Sequence, residues 1–600
     1  MRGLEAEIDS KRMSDSRTIE RDGQVLALYE QLLEIEQRLI PTGLHVFGRA
    51  PASREITDLL FMVASFDRPE LNLSSLTELV AAGLKLPSYT ELLKESATSE
   101  ARLKEREQVE ATVREAIAIF TSSNDETEQG SASRFLLERA AVAVEQSSKV
   151  FAMLANLRSQ LEKSHELDGL SRALRGEYVE PGPGADIVQN PLILPTGRNT
   201  HAVNPYTVPS VAAMRRARPV AEALLERHRS QSGRYPETIA MVLWGIDNIK
   251  TEGEAVAQAL HLLGVCPKRD ALNRATDIEV IPLEELGRPR IDVVMIVSGI
   301  FRDLFGSTMA LLDRAVRRVA SLDESDNSNY IRRHIHAQMK EEKCEFDEAA
   351  VRIFSNAAGN YGTNVNFMVL ESQWEESQEL GDLFVARKCF AYGRDSEGRS
   401  YDGRESKRLM ERALSGVEVT YQSIDSFEVG ITDVDHYFEY LGGLSKAVEK
   451  RAGARPDIYL SDTLSPAAKV RTLEETVRLE TRTKILNPKW HEGMLKHGFS
   501  GVAEIEHQVT NTFGWSATAD AVDDWIYDKV AETFVLDEEM LARLRSLNPH
   551  STRTMLGRLL EASGRGFWSA DESVIERLRN IFSDIEDDLE GVGRTLNAEG

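Results

Sequence analysis

The run IDVVMIVSG, residues 291–299, decides the fold class. It is an unbroken apolar stretch rich in Val and Ile, short, and closed by Ser-Gly. Such a run reads as a strand covered on both faces. TIAMVLWG, residues 238–245, has the same character, and DIEVIPL, residues 277–283, reads as a further strand. Between them, Thr251 followed by Glu254 is a capping pattern ahead of a helix that ends at Gly264. This β-α-β-β order predicts an α/β protein with a doubly wound parallel or mixed sheet.

On both sides of this region the periodicity turns helical. In residues 23–40, Val25, Leu28, Leu32, Ile35 and Leu39 recur at helical spacing and Pro41 ends the run. Residues 101–120 predict a second long helix. Residues 133–167 predict a third, with Val142, Phe151, Leu154, Leu157 and Leu161 on its apolar stripe, and the polar stretch 122–133 reads as a loop. Residues 304–355, 404–416 and 473 onward are also helical in pattern. The expected organisation is a disordered lead-in over 1–20, a helical domain over 21–175, an α/β core over 176–470 and a helical domain over 471–600. No fixed-period repeat occurs.

Composition narrows the function. A chain of 600 residues with net charge −25 has no basic face for nucleic acid or for an anionic membrane. Its three cysteines, Cys266, Cys344 and Cys389, lack CxxC spacing, so neither a disulfide framework nor a structural zinc site is expected. The first residues carry no apolar signal core and no apolar run is long enough to span a bilayer, which predicts a cytoplasmic protein. There is no GxxxxGK[ST], no GxGxxG after the first strand and no HExxH. His334 and His336 lie in a charged helical stretch and read as a solvated face.

Four segments carry chemistry. In LPTGRNTHAVNPY, 194–206, Arg198 has the fork that binds carboxylates and His201 is a base or ligand. The competing reading is a tight loop bonded to its own backbone. SNAAGNYGTNVN, 355–366, offers small residues and amides, so a flat ligand can approach the backbone; the alternative is an Asx-bonded turn. LFVARKCFAYGR, 383–394, alternates Arg387, Lys388, Phe390, Tyr392 and Arg394, suiting a flat apolar ring with acidic arms, or else a strand with one wet face. ITDVDHYFEYLGG, 431–443, gathers Asp433, Asp435, His436 and Glu439. A helix starting at Asp433 puts Asp435 and Glu439 on one face with His436 beside Glu439. Helix capping by Thr432 and Asp435 is the plainer reading of that cluster.

In order along the chain, GEYVEPGPGAD (176–186), LPTGRNTHAVNPY (194–206), SNAAGNYGTNVN (355–366), RKCFAYGR (387–394), DVDHYFEYLGG (433–443), NPKWHEGMLKHGFSG (487–501) and VTNTFGWSATA (509–519) resemble the large, porphyrin-handling subunit of magnesium chelatase. More distantly they resemble the large subunit of aerobic cobaltochelatase. The last segment and FVLDEEMLARLRSLNP (534–549) look like the magnesium branch. The resemblance implies ATP-dependent insertion of Mg²⁺ into protoporphyrin IX in (bacterio)chlorophyll biosynthesis, with ATP hydrolysed by two AAA+-type partner subunits. It implies acid–base or metal-handling roles for His436 and Glu439, extended here to Asp435 and Asp433, with Asp435 and Glu439 as metal ligands. Porphyrin contacts are expected at Arg198, Asn199, His201, Asn360, Tyr361, Arg387, Lys388 and Arg394. The family's large subunits are longer at the amino end, so the chain is expected to correspond to their carboxy-terminal part. A cobaltochelatase subunit acting on a corrin precursor and a non-catalytic porphyrin-binding paralogue are the alternatives.

Overall fold

The computed structural model describes residue 40 and most residues from 43 to 591, together with isolated positions between 28 and 35. The short exceptions are 69–70, 97–98, 123–126, 185–186, 189, 202–203, 394–402, 427 and 464–468. The lead-in over 1–20, most of the helix expected over 23–40, and Arg394 therefore lie outside the described residues.

Among the described residues twelve strands are formed: β1 (Pro181–Pro183), β2 (Asn199–His201), β3 (Thr238–Leu243), β4 (Val265–Arg269), β5 (Ala275–Val280), β6 (Asp292–Val297), β7 (Ile353–Ser355), β8 (Phe390–Tyr392), β9 (Arg404–Glu405), β10 (Val419–Ile424), β11 (Asp457–Asp462) and β12 (Lys469–Thr472). Eight of them make the central sheet, in the order β12-β11-β10-β3-β6-β7-β8-β9. The five from β11 to β7 run parallel, and the edges are antiparallel. All six residues of β3, β6 and β10 are buried, because helices cover both faces. Ile239, Met241, Leu243, Val293 and Met295 enter one core; Ala240, Val242, Val294 and Ile296 enter the other. The second core continues without a break into the carboxy-terminal helices through Phe513, Trp515, Tyr527 and Leu559. The amino-terminal helices have a core of their own, built on Leu60, Val113, Phe151 and Leu154.

Chain order then dictates where a site belongs. From β3 the chain moves to β6 and β7 on one side, and later returns to β10 on the other. Loops from β3 and β10 leave in opposite directions, so a crevice opens at their carboxyl ends. Around it stand α1 (Gly245–Lys250), α2 (Gly299–Leu304), α3 (Val365–Leu370) and α4 (Gln378–Lys388). Behind it stand α5 (Leu473–Glu480) and α6 (Phe499–Ala519).

Four sequence expectations are corrected. The strand expected over 277–283 forms over 275–280 and does not join the main sheet; as β5 it pairs with β4 in an antiparallel hairpin in which only Ile278 of β5 is buried. The single helix expected from 133 to 167 is two, Thr127–Ala140 and Val144–Leu161, broken where Ala141 takes a φ of +52°. The first begins inside the stretch read as a loop. Residues 383–388 are the end of α4 rather than an alternating strand.

His334 is not simply solvated. Its Nδ1 lies 3.0 Å from Oδ2 of Asp292, a buried carboxylate that also accepts from Arg352 Nε at 2.9 Å and Nη2 at 3.1 Å. Burial alone raises the Asp292 carboxyl, but Arg352 and His334 outweigh it and hold it down to about 2. This network sits at the amino end of β6, opposite the crevice. Asp292→Asn strands the buried Arg352 charge, so it should cost about 3–5 kcal/mol. A lowered urea midpoint would register that cost.

Candidate active site

Ser298, just beyond β6, accepts from the backbone N–H of Phe301 at 3.2 Å and of Gly245 at 3.0 Å. One hydroxyl thus caps α2 and ties it to the start of α1. The next residue must be glycine: a Cβ on Gly299 would lie 2.5 Å from the Tyr361 ring and 3.1 Å from the Asn360 carbonyl oxygen. Loop 356–364, which follows β7, therefore rests directly on the turn after β6.

That loop is pinned from below. Asn356 is fully buried; its Oδ1 accepts from Lys388 Nζ at 2.7 Å and its Nδ2 donates to the Gly362 carbonyl at 2.7 Å. The Tyr392 hydroxyl donates to the Asn356 carbonyl at 2.7 Å. Arg302 donates to the carbonyls of Ala357 at 2.7 Å and Asn360 at 2.9 Å. The Tyr361 hydroxyl donates to Asp303 at 2.8 Å.

The loop's far end meets residues 435–442. A short helix, Asp435–Tyr437, runs into a π-helical turn, Phe438–Gly442. Such turns redirect side chains and cluster at functional sites. Glu439 is 1% exposed. Its Oε1 accepts from the Thr363 N–H, from the Thr363 hydroxyl at 2.9 Å and from the Asn364 N–H at 2.9 Å. Its Oε2 lies 2.7 Å from Nδ1 of His436. The His436 side chain is 61% exposed, so its other nitrogen faces outward. Asp435 is half-buried; it accepts from Asn366 Nδ2 at 2.6 Å and lies 3.7 Å from His436 Nδ1. The Tyr440 hydroxyl donates to the Tyr361 carbonyl, and its ring packs 4.5 Å from that of Trp244.

The electrostatics follow. The hydrogen bond and charge of Glu439 raise the His436 imidazole above its ordinary value. Burial pushes the Glu439 carboxyl up, but His436 and the Thr363 donors prevail and hold it below the usual range. With Nδ1 donating to Glu439, Nε2 is the proton acceptor.

Of the expected site residues, the structure joins Asp435, His436, Glu439 and the loop bearing Asn360 and Tyr361. Asp433 is turned away, paired with Lys484 on the far side of the segment. Lys388 is fully buried between the Val297 carbonyl, Asn356 and the Tyr440 ring, so it supports the site from beneath and presents no cation at the surface. Burial drives its ammonium well below the lysine range. Arg387 is exposed at the end of α4. Arg198 donates to the carbonyls of Leu194 at 2.8 Å and Pro195 at 3.1 Å, as the loop reading held, and Leu194 is buried in the amino-terminal helical core. Asn199 and His201 lie on β2 beside β1. Both Glu439 oxygens are engaged, which suits an orienting role better than metal ligation. Among the described residues no group of three or more His, Cys, Asp or Glu side chains is arranged to hold a metal ion.

Sequence reasoning missed Trp244, Arg302, Asn356, Thr363 and Tyr440. Asn356 and Thr363 lie inside a segment that was singled out, and their side chains hold the backbone of that segment.

A family model described as CobN/Magnesium Chelatase matches residues 2–575. The chain belongs to the CobN/magnesium chelatase family. It is 42% identical over 600 residues to magnesium-chelatase subunit ChlH, chloroplastic, of Oryza sativa subsp. indica, covering 96% of this chain and 43% of that one. It is 31% identical to aerobic cobaltochelatase subunit CobN of Sinorhizobium sp, covering 93% and 45%. The catalytic subunit of cobaltochelatase from Mycobacterium tuberculosis superposes with a TM-score of 0.85 at 31% identity, covering 98% of this chain and 48% of that one. The chain thus spans under half the length of these chelatase relatives.

The His436–Glu439 pair has a pH signature. A raised histidine stabilises the fold below its unfolded value and loses that effect as pH rises through its folded value; a depressed carboxyl does so above its unfolded value and loses it as pH falls. The pair's contribution is therefore fullest between about pH 4.3 and pH 6.5. Glu439→Gln should lower the His436 midpoint toward the ordinary histidine value in a histidine-selective NMR titration. An unmoved midpoint would mean the carboxylate does not govern the imidazole.

Proposed function

We propose that this chain is the porphyrin-handling part of a magnesium chelatase, inserting Mg²⁺ into protoporphyrin IX with ATP hydrolysed by two AAA+-type partner subunits. The observation that carries this reading is an exposed imidazole, backed by a buried carboxylate, beside exposed apolar side chains beyond the carboxyl ends of the central strands. Ile246, Ile300, Tyr361 and Phe367 are each 38–56% exposed, on α1, α2, loop 356–364 and α3. α1 packs on α2, Gly299 abuts Tyr361, and Asn366 bonds Asp435, so these side chains stand on elements that meet at the His436 segment. Exposed apolar side chains of this kind suit the flat face of a macrocycle.

The reaction exchanges two pyrrole N–H protons for one Mg²⁺. We assign His436 Nε2 to take up the two protons in turn, passing the first to solvent before accepting the second, with the Glu439 charge stabilising the imidazolium each time. Asp435 offers the hard oxygen on which incoming Mg²⁺ exchanges part of its water. The absence of a Walker A loop fits a division of labour in which ATP is hydrolysed elsewhere. The exposed Arg387 and the loop bearing Arg198 are assigned to the porphyrin's carboxylate arms. Among the described residues no helix is long and apolar enough to cross a membrane. A cytoplasmic location is part of this proposal.

The nearness of the cobaltochelatase structure keeps a second reading open, in which Co²⁺ enters a corrin precursor by the same proton chemistry. Reconstitution decides between them: the chain, both ATPase partners, ATP, and either Mg²⁺ with protoporphyrin or Co²⁺ with the corrin precursor. A parallel arm supplies the remaining part of the family's large subunit as a separate fragment. Magnesium insertion is expected. His436→Ala should slow it by about 10²-fold or more while porphyrin still quenches the protein's fluorescence. Insertion at the normal rate in that variant would remove His436 from the mechanism, and porphyrin binding without insertion in any arm would leave a binding protein.

A further inference from the structure

The segment that delivers His436 is itself held from behind. Glu480, the last residue of α5, is fully buried. Its carboxylate accepts from the N–H of Ile431 at 2.9 Å, the N–H of Thr432 at 2.9 Å and the Thr432 hydroxyl at 2.8 Å. The approach is close enough to require glycine before them: a Cβ on Gly430 would lie 2.1 Å from Glu480 Oε1.

Lys484 grips the same loop at two further points. It lies in a second π-helical turn, Thr481–Ile485, directly after Glu480. Its Nζ donates to the Glu428 carbonyl at 2.9 Å and pairs with Asp433. From α6, Trp515 Nε1 donates to the Ile431 carbonyl at 2.9 Å and Asn511 Nδ2 to the Thr432 carbonyl at 2.8 Å. An anion on backbone donors and a cation on a carbonyl and a carboxylate thus bracket residues 428–433. His436 follows within one turn, and Glu439 one turn later.

We propose that Glu480 and Lys484 are positioning residues for the His436–Glu439 pair: a buried bracket of opposite charges that fixes the loop from which the catalytic turn starts. It gives Asp433 a role as the anchor for Lys484. Its activity consequence rests on the chelatase reading; its structural consequence does not. Catalytic groups lose effect when displaced by about 1 Å, at a cost of roughly 10²-fold in rate.

The test uses the full chain with three variants: Glu480→Gln, Thr432→Val and Thr432→Ser. Amide hydrogen exchange is followed by mass spectrometry without partners. In Glu480→Gln and Thr432→Val, peptides spanning 429–440 should exchange at least about fivefold faster, while peptides of the amino-terminal helices stay unchanged. With both ATPase partners, kcat for insertion should fall about tenfold or more and the KM for porphyrin should stay within about twofold. Thr432→Ser, which keeps the hydroxyl, should restore both. If Glu480→Gln fails to fold, the milder threonine pair decides. Faster exchange with undiminished kcat overturns the positioning role, as does unchanged exchange in a folded Thr432→Val. If the wild-type chain inserts no metal with any partners, the chelatase reading fails instead, and the exchange contrast between Thr432→Val and Thr432→Ser still tests the bracket.

Discussion

One buried carboxylate joins the two halves of the candidate site. Glu439 receives two backbone N–H groups and a hydroxyl from residues 363–364 and the imidazole of His436, across a sequence gap of about seventy-five residues. Taking a carboxylate out of water costs several kcal/mol. Hydrogen bonds to a charged group return about 1.5–3 kcal/mol each, so the anion is tolerated only while all its donors stay in place. Loop 356–364 and the π-turn therefore fix each other. The exposed imidazole takes its orientation from that arrangement.

The rest of the fold places this junction. A strand order that reverses direction beside β3 opens the crevice, and the central strands are buried on both faces, so their carboxyl ends are fixed points. The core on one face continues into the carboxy-terminal helices. Through Glu480, Lys484, Asn511 and Trp515 those helices reach the segment carrying His436 from the side away from solvent. The region after residue 473 therefore serves the site as well as the fold.

Much of this was legible in the sequence, for physical reasons. The runs at 238–245 and 291–299 are apolar without alternation because both their faces are covered, and that pattern has few other readings. Asp435, His436 and Glu439 are close in sequence, so a helical turn brings them near one another, although the helix starts at Asp435 rather than Asp433 and Glu439 stands in a π-helical turn that the sequence does not announce. The strand read over 277–283 is placed in the wrong sheet because an apolar run does not say which strand it pairs with. Lys388 misled because a basic residue between aromatics looks like a surface cation, whereas a helix ending there turns it under the loop. The contacts of Glu439 with Thr363, and of Glu480 with Thr432, were invisible: each spans more than forty residues, and nothing local in the chain marks either partner.

The central claim is that the macrocycle lies against the apolar rim with its nitrogens toward His436. A structure of the chain bound to a water-soluble protoporphyrin analogue tests it most directly. The ring should pack on Ile300, Tyr361 and Phe367, with the His436 imidazole facing its centre. A ring seated on the loop around Arg198, with His436 left in open solvent, would contradict the account.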